Sequence, residues 1–189
     1  MFLFYPGTGF APRHYMKMKG KVLVICVILG SVLIFKGFSN TRDLFFDKAS
    51  QFHSTEIQAG KMAVIKGNPE VIKLSRELVH YHTIAKKELF ALAQKQGLKI
   101  TAVTNAGQEK DLTNLKELSG KAFDSAYMVS QSIRYKQAII LFTKESQTGI
   151  NPEARVYAGK NLPKLQMHLQ KFEGHRSAMK TTLDSVRRK

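Results

Sequence analysis

Two short punctuation marks constrain how this chain can fold. Gly67-Asn68-Pro69 and Gly149-Ile150-Asn151-Pro152 each end one long stretch of helical periodicity and begin another. Glycine suits the end of a helix, and in the second mark Asn151 suits the cap of the next. Proline suits the first turn, where the missing N–H has no partner to lose. A chain punctuated in this way is committed to pairs of long helices joined by tight turns.

The first stretch runs from Asp43 to about Lys66, with Phe45, Ala49, Phe52, Ala59 and Ala63 on one face; Glu56 fills the gap in that stripe. The second runs from Pro69 to Gln96 with Leu74, Leu78, Ala85, Leu89 and Leu92, and His82 completes it. Gly97 stops it. Residues 97–119 form a long connection with a short helical piece expected around Glu109 to Leu118. After Gly120 a third long helix, Lys121 to about Gln147, carries Phe123, Ala126, Tyr127, Val129, Ile133, Ala138 and the run Ile139-Ile140-Leu141-Phe142. Its apolar surface is too wide to define one seam. The fourth runs from Pro152 to about Val186 on Ala158, Leu162, Leu165, Leu169, Phe172, Met179 and Leu183. Pro163 lies inside it and is expected to kink or locally break it. A helix of about 25 residues is roughly 37 Å long, a distance the connection can cross if extended. The pattern predicts an all-α, ferritin-like four-helix bundle with a long crossover between the second and third long helices.

Ahead of the bundle, Lys17, Lys19 and Lys21 precede an apolar run from Val22 to Phe35, and Lys36 and a polar stretch follow. This is a secretory signal pattern, and the run is short for a membrane span of about 20 apolar residues. Cleavage after Ser39 and retention as an N-terminal anchor both fit; a buried helix of the fold is the alternative. Residues 1–41 are thus expected to be an N-terminal extension with a signal or anchor, and residues 42–189 the bundle domain. Met16 and Met18 are alternative starts. Cys26 sits inside the apolar run, where a lipidated cysteine would not, and as the single cysteine it permits no internal disulfide. The expected location is the periplasm, free or membrane-anchored.

The chain carries 30 Lys and Arg against 14 Asp and Glu, a net charge of +16. That balance favours anionic partners such as a membrane surface or an acidic envelope component. No motif for reading bases accompanies it, so sequence-specific nucleic-acid binding is not expected.

Chemistry is sparse. The segment after the signal has no nucleophilic cysteine, no G-x-S-x-G, no phosphate-cradling glycine loop and no H-E-x-x-H. Glu56 and His82 complete apolar stripes, and His168 abuts one between Leu165 and Leu169. Polar groups inside a bundle must be paired or bonded, so these three form either a hydrogen-bond network that fixes register, a site for a divalent metal or ligand, or a looser, partly exposed set. A di-iron carboxylate site needs two Glu-x-x-His motifs. Only Glu77 to His80 matches, and both residues flank the stripe toward solvent; Leu165 stands where the second Glu would be. His53, His80 and His175 read as surface or boundary residues, and Met62, Met128, Met167 and Met179 as core filler.

The segment from Phe52 to His175 resembles the domain of unknown function 4142 family, exported bacterial domains described as ferritin-like. The resemblance is carried by Glu56, by His82-Thr83-Ile84-Ala85 followed by Glu88-Leu89, by Phe123-Asp124-Ser125-Ala126-Tyr127, and by Leu162-Pro163 through His168. It implies export and the bundle fold, and no known reaction. Where the family usually has a histidine in the third helix, this chain has Tyr135. The candidate cluster is therefore Glu56, His82, Tyr135 and His168, with Phe123, Asp124, Tyr127, Leu162 and Pro163 as motif residues. The function expected is that of a non-enzymatic envelope protein with a binding, structural or stress-related role; the alternative is a metal- or redox-linked protein.

Overall fold

The structure is a computed structural model that describes the backbone of residues 39–101 and 103–187, and the side chains of 44–101 and 103–177. The lysine-flanked apolar run lies outside the described residues. Among the described residues no helix is long and apolar enough to cross a membrane.

Residues Asn40–Lys189 form one compact unit. Its elements are all helical: α1 (Ser39–Lys66), α2 (Pro69–Lys95), α3 (Ala106–Glu117), α4 (Gly120–Thr148) and α5 (Pro152–Arg187). The punctuation works as its chemistry requires. The Asn68 side chain accepts from the backbone N–H groups of Glu70 and Val71 at 3.0 and 2.9 Å. Asn151 does the same for Glu153 and Ala154. Both satisfy N–H groups that a helix start leaves orphaned. α2 ends in a Schellman turn. Gly97, at φ 67°, takes the left-handed position, and Leu98 and Gly97 donate back to Ala93 and Gln94. In α3, Asn105 and Gln108 cap each other reciprocally.

Contacts fix the helix directions. The turn between α1 and α2 is tight, so the two are antiparallel. The connection then starts beside the first half of α1, where Ser50 donates to the Thr101 carbonyl and Thr101 N–H donates to Asp47. It ends beside the last turn of α1, where the Lys66 ammonium donates to the carbonyls of Lys116 and Leu118. The connection has therefore climbed the length of α1, with Leu112 and Leu115 of α3 buried against the bundle. α4 starts near the α1–α2 turn, held by Asn68 N–H donating to Asp124 at 3.1 Å, and so runs parallel to α2. α5 begins at the other end, where Glu153 meets Lys95, and returns parallel to α1 until Glu77 meets Lys171.

α5 is unbroken at Pro163, contrary to the expected break. Proline removes one N–H and crowds the carbonyl four residues back, that of Gly159. Both residues lie on the exposed face, where water can take the freed carbonyl. α4 also differs from its sequence reading. Val129, Ile133 and Ile140 are exposed, because the buried face is instead Phe123, Tyr127, Gln131, Arg134, Tyr135, Ala138 and Phe142.

Candidate functional site

The aromatic core is densely packed around Phe52, whose ring meets His82, Tyr135 and Phe142 edge-on. Threaded through it is a string of buried polar groups. Tyr157 hydroxyl donates to the Ala85 carbonyl at 2.9 Å. His53 Nε2 lies 2.9 Å from that hydroxyl. His53 Nδ1 faces His82 Nδ1 at 2.8 Å, His82 Nε2 faces the Tyr135 hydroxyl at 2.6 Å, and that hydroxyl lies 3.4 Å from His168 Nδ1.

One hydrogen per contact fixes every tautomer. The only Tyr157 hydroxyl hydrogen goes to Ala85, so His53 must donate through Nε2 and accept at Nδ1. His82 then donates through Nδ1 and accepts at Nε2, Tyr135 donates to His82, and His168 donates through Nδ1 to Tyr135. The lone pair of His168 Nε2 is left buried without a hydrogen bond, 3.6 Å from Glu77 Oε1. The whole string is neutral. Burial pulls His53 down to about 3, with Lys86 adding to the effect. Burial also holds His82 well below its ordinary value, reinforced by His53 and His168. His168 falls to about 4 through burial, against the pull of Glu77. Burial pushes Tyr135 and Tyr157 upward, so both keep their protons.

The structure therefore brings His82, Tyr135 and His168 together. Glu56 points inward as well but belongs to a second group: it accepts from Arg134 Nε at 2.7 Å, and neither side chain is appreciably exposed. Burial pushes the Glu56 carboxyl up, and Arg134 and Gln131 oppose that shift. Glu56 Oε2, both amide atoms of Gln131 and both Nη atoms of Arg134 are buried without partners.

His53 corrects the sequence reading, which placed it at the surface; it is fully buried and central. Its signal was a second stripe on α1, Phe46, Ala49, His53, Glu56 and Gly60, read one position from the first. A helix packed on two sides buries both stripes. Glu77 is half exposed yet reaches Lys171 and the edge of His168, and His80 is exposed. The motif residues form no part of the string. Phe123 stacks on Tyr127, Tyr127 accepts from Ser75 at 3.0 Å, and Asp124 anchors the first turn. Leu162 is half-buried and Pro163 exposed. Among the described residues no group of three or more His, Cys, Asp or Glu side chains is placed to hold a metal ion.

The model of a family described as a domain of unknown function, DUF4142, matches residues 36–174. The chain belongs to that family. No curated protein matches this DUF4142 chain. Among solved structures it is similar to CopM in the Cu(II)-bound form, at 16% identity over 71% of this chain and 95% of that one, with a TM-score of 0.62. It is also similar to a conserved hypothetical protein from Mycobacterium tuberculosis, at 11% identity over 71% and 96% of the two chains, with a TM-score of 0.57. At these identities the likeness is one of fold.

Proposed function

We propose that this DUF4142 protein is an exported, non-enzymatic component of the cell envelope, a ferritin-like bundle of α1, α2, α4 and α5 with α3 in the crossover, which associates with anionic envelope surfaces. The closed state of the polar string carries the non-enzymatic part of the reading. Its histidines and tyrosines are buried, neutral, and bonded mainly to one another, as groups that set helix register would be. Export rests on the basic and apolar pattern of Lys17 to Phe35, and surface association on the net charge of +16. Fractionation with mass analysis of the N-terminus tests export: envelope location is expected, and full-length protein in the cytoplasm would overturn it. Co-sedimentation with phosphatidylglycerol vesicles tests association, with binding expected at low salt and lost as salt rises. Equal binding to neutral phosphatidylcholine vesicles would refute an electrostatic surface.

A second reading is metal binding, favoured by the two facing Nδ1 atoms of His53 and His82 and by a fold neighbour solved with Cu(II). The residues fit a metal poorly. Only two imidazoles converge, the next groups are protonated tyrosines, and Nδ1 of His82 must shed its hydrogen. Copper titration decides between the two: stoichiometric Cu(II) with a rising melting temperature supports this reading, and no binding removes it.

A further inference from the structure

A groove of about 600 Å³ opens between α1 and α4. Phe45 and Phe52 line it from α1, and Arg134, Ala138 and Leu141 from successive turns of one α4 face. Lys48 and Lys144 stand at its sides, and Glu145 lies toward the far end, roughly 16 Å of helical rise from Arg134. The volume is in the range of small-molecule sites, and the lining has their usual character of apolar walls with a few polar groups.

Arg134 is the unusual member. Its Nε is engaged by Glu56, while Nη1 and Nη2 are buried with no partner. A guanidinium offers its N–H groups as a planar fork that matches a carboxylate. A buried fork without a partner, at one end of an apolar groove, is a receptor for an anion that brings an apolar tail. The position of that fork at one end of the groove sets the ligand's direction.

We propose that this groove binds an amphipathic monocarboxylate, a medium-chain fatty acid or its like, with the carboxylate on Arg134 and the tail along Phe52, Ala138 and Leu141 toward Phe45. The site is independent of the surface association proposed above.

Isothermal titration of the full chain with sodium dodecanoate, below its micelle concentration, tests this. Saturable one-to-one binding is expected. Dodecan-1-ol, with the same tail and no charge, should bind at least about 10-fold more weakly because it lacks the charge-assisted bonds. Sodium butyrate, with the head and little tail, should give no measurable binding. The double variant Glu56→Gln/Arg134→Gln, which leaves no lone buried charge, should lose at least about 10-fold in dodecanoate affinity. If that variant does not fold, Leu141→Trp, which fills the groove from a half-buried position, must weaken binding by a similar factor. No saturable binding by the unmodified chain would overturn the proposal. So would equal affinity for dodecanoate and dodecan-1-ol, or unchanged affinity in a folded groove variant.

Discussion

Acidification should unfold this protein through the three histidines of the string. An unfolded histidine takes up a proton near pH 6.5, whereas folded His53 does so only at about 3, folded His168 at about 4 and folded His82 also well below the ordinary value. Above pH 6.5 neither state binds these protons and the full stability is present. Below it the unfolded chain gains protons that the folded chain refuses, so stability falls with pH, down toward the folded values. At pH 5 His53 and His168 each account for about 2 kcal/mol, and His82 adds to the loss in the same direction. His53 and His168 together account for about 4 kcal/mol, a large part of a typical total of about 5–15. The raised carboxyl of Glu56 works in the opposite direction, so the comparison that isolates His82 is with His82→Leu. Urea unfolding followed by circular dichroism at pH 7, 6 and 5 gives the slopes. The unmodified chain should lose more stability per pH unit than His82→Leu, by up to about 1.4 kcal/mol. Parallel pH profiles for the two proteins, or an imidazole proton resonance of His53 titrating near pH 6.5, would refute the reasoning.

Tyr135→Phe removes the donor to His82 and the acceptor for His168 with little change of shape, so it should cost about 1–3 kcal/mol, read as a fall in melting temperature of roughly 3–9 °C. Arg134→Met leaves Glu56 buried without its cation and should cost about 3–5 kcal/mol; chemical denaturation of Arg134→Met against Glu56→Gln/Arg134→Met should show the double variant recovering most of the loss. Gly60→Ala places a methyl 2.6 Å from Val79 Cγ2, so overpacking of about 1–3 kcal/mol is expected, and adding Val79→Ala should relieve it in the same melts. Asn68→Ala removes a cap that satisfies two N–H groups and should cost about 1 kcal/mol by urea titration.

The helix pairs were legible because their ends are written locally: Asn68, Pro69, Gly97, Asn151 and Pro152 each act on backbone within a few residues. Glu56 and His82 stood out as polar gaps in apolar stripes. His53 did not, because a single stripe was read along a helix that buries two. The partnership of Glu56 with Arg134 was hidden for a different reason: it depends on which face α4 turns inward. That face carries Gln131, Ser132 and Arg134, while Val129, Ile133 and Ile140 point out. An inverted pattern of that kind defeats a rule that assigns apolar residues to the interior.

The string from Tyr157 to His168 has a consequence for how a disturbance travels. His53 and His82 each have one hydrogen and two engaged nitrogens, so neither can reverse its tautomer unless its neighbours do the same. Direction is a property of the set, and it is anchored at one end by the Ala85 carbonyl, which admits only a donor. Deleting that anchor with Tyr157→Phe frees His53 Nε2 from its obligation to donate. The string can then also stand in the reverse direction, with His53 donating through Nδ1, His82 through Nε2, Tyr135 to His168 Nδ1 and the His168 hydrogen on Nε2 facing Glu77, a change of polarity in the shared interior of four helices that leaves each ring with one hydrogen and needs no backbone movement.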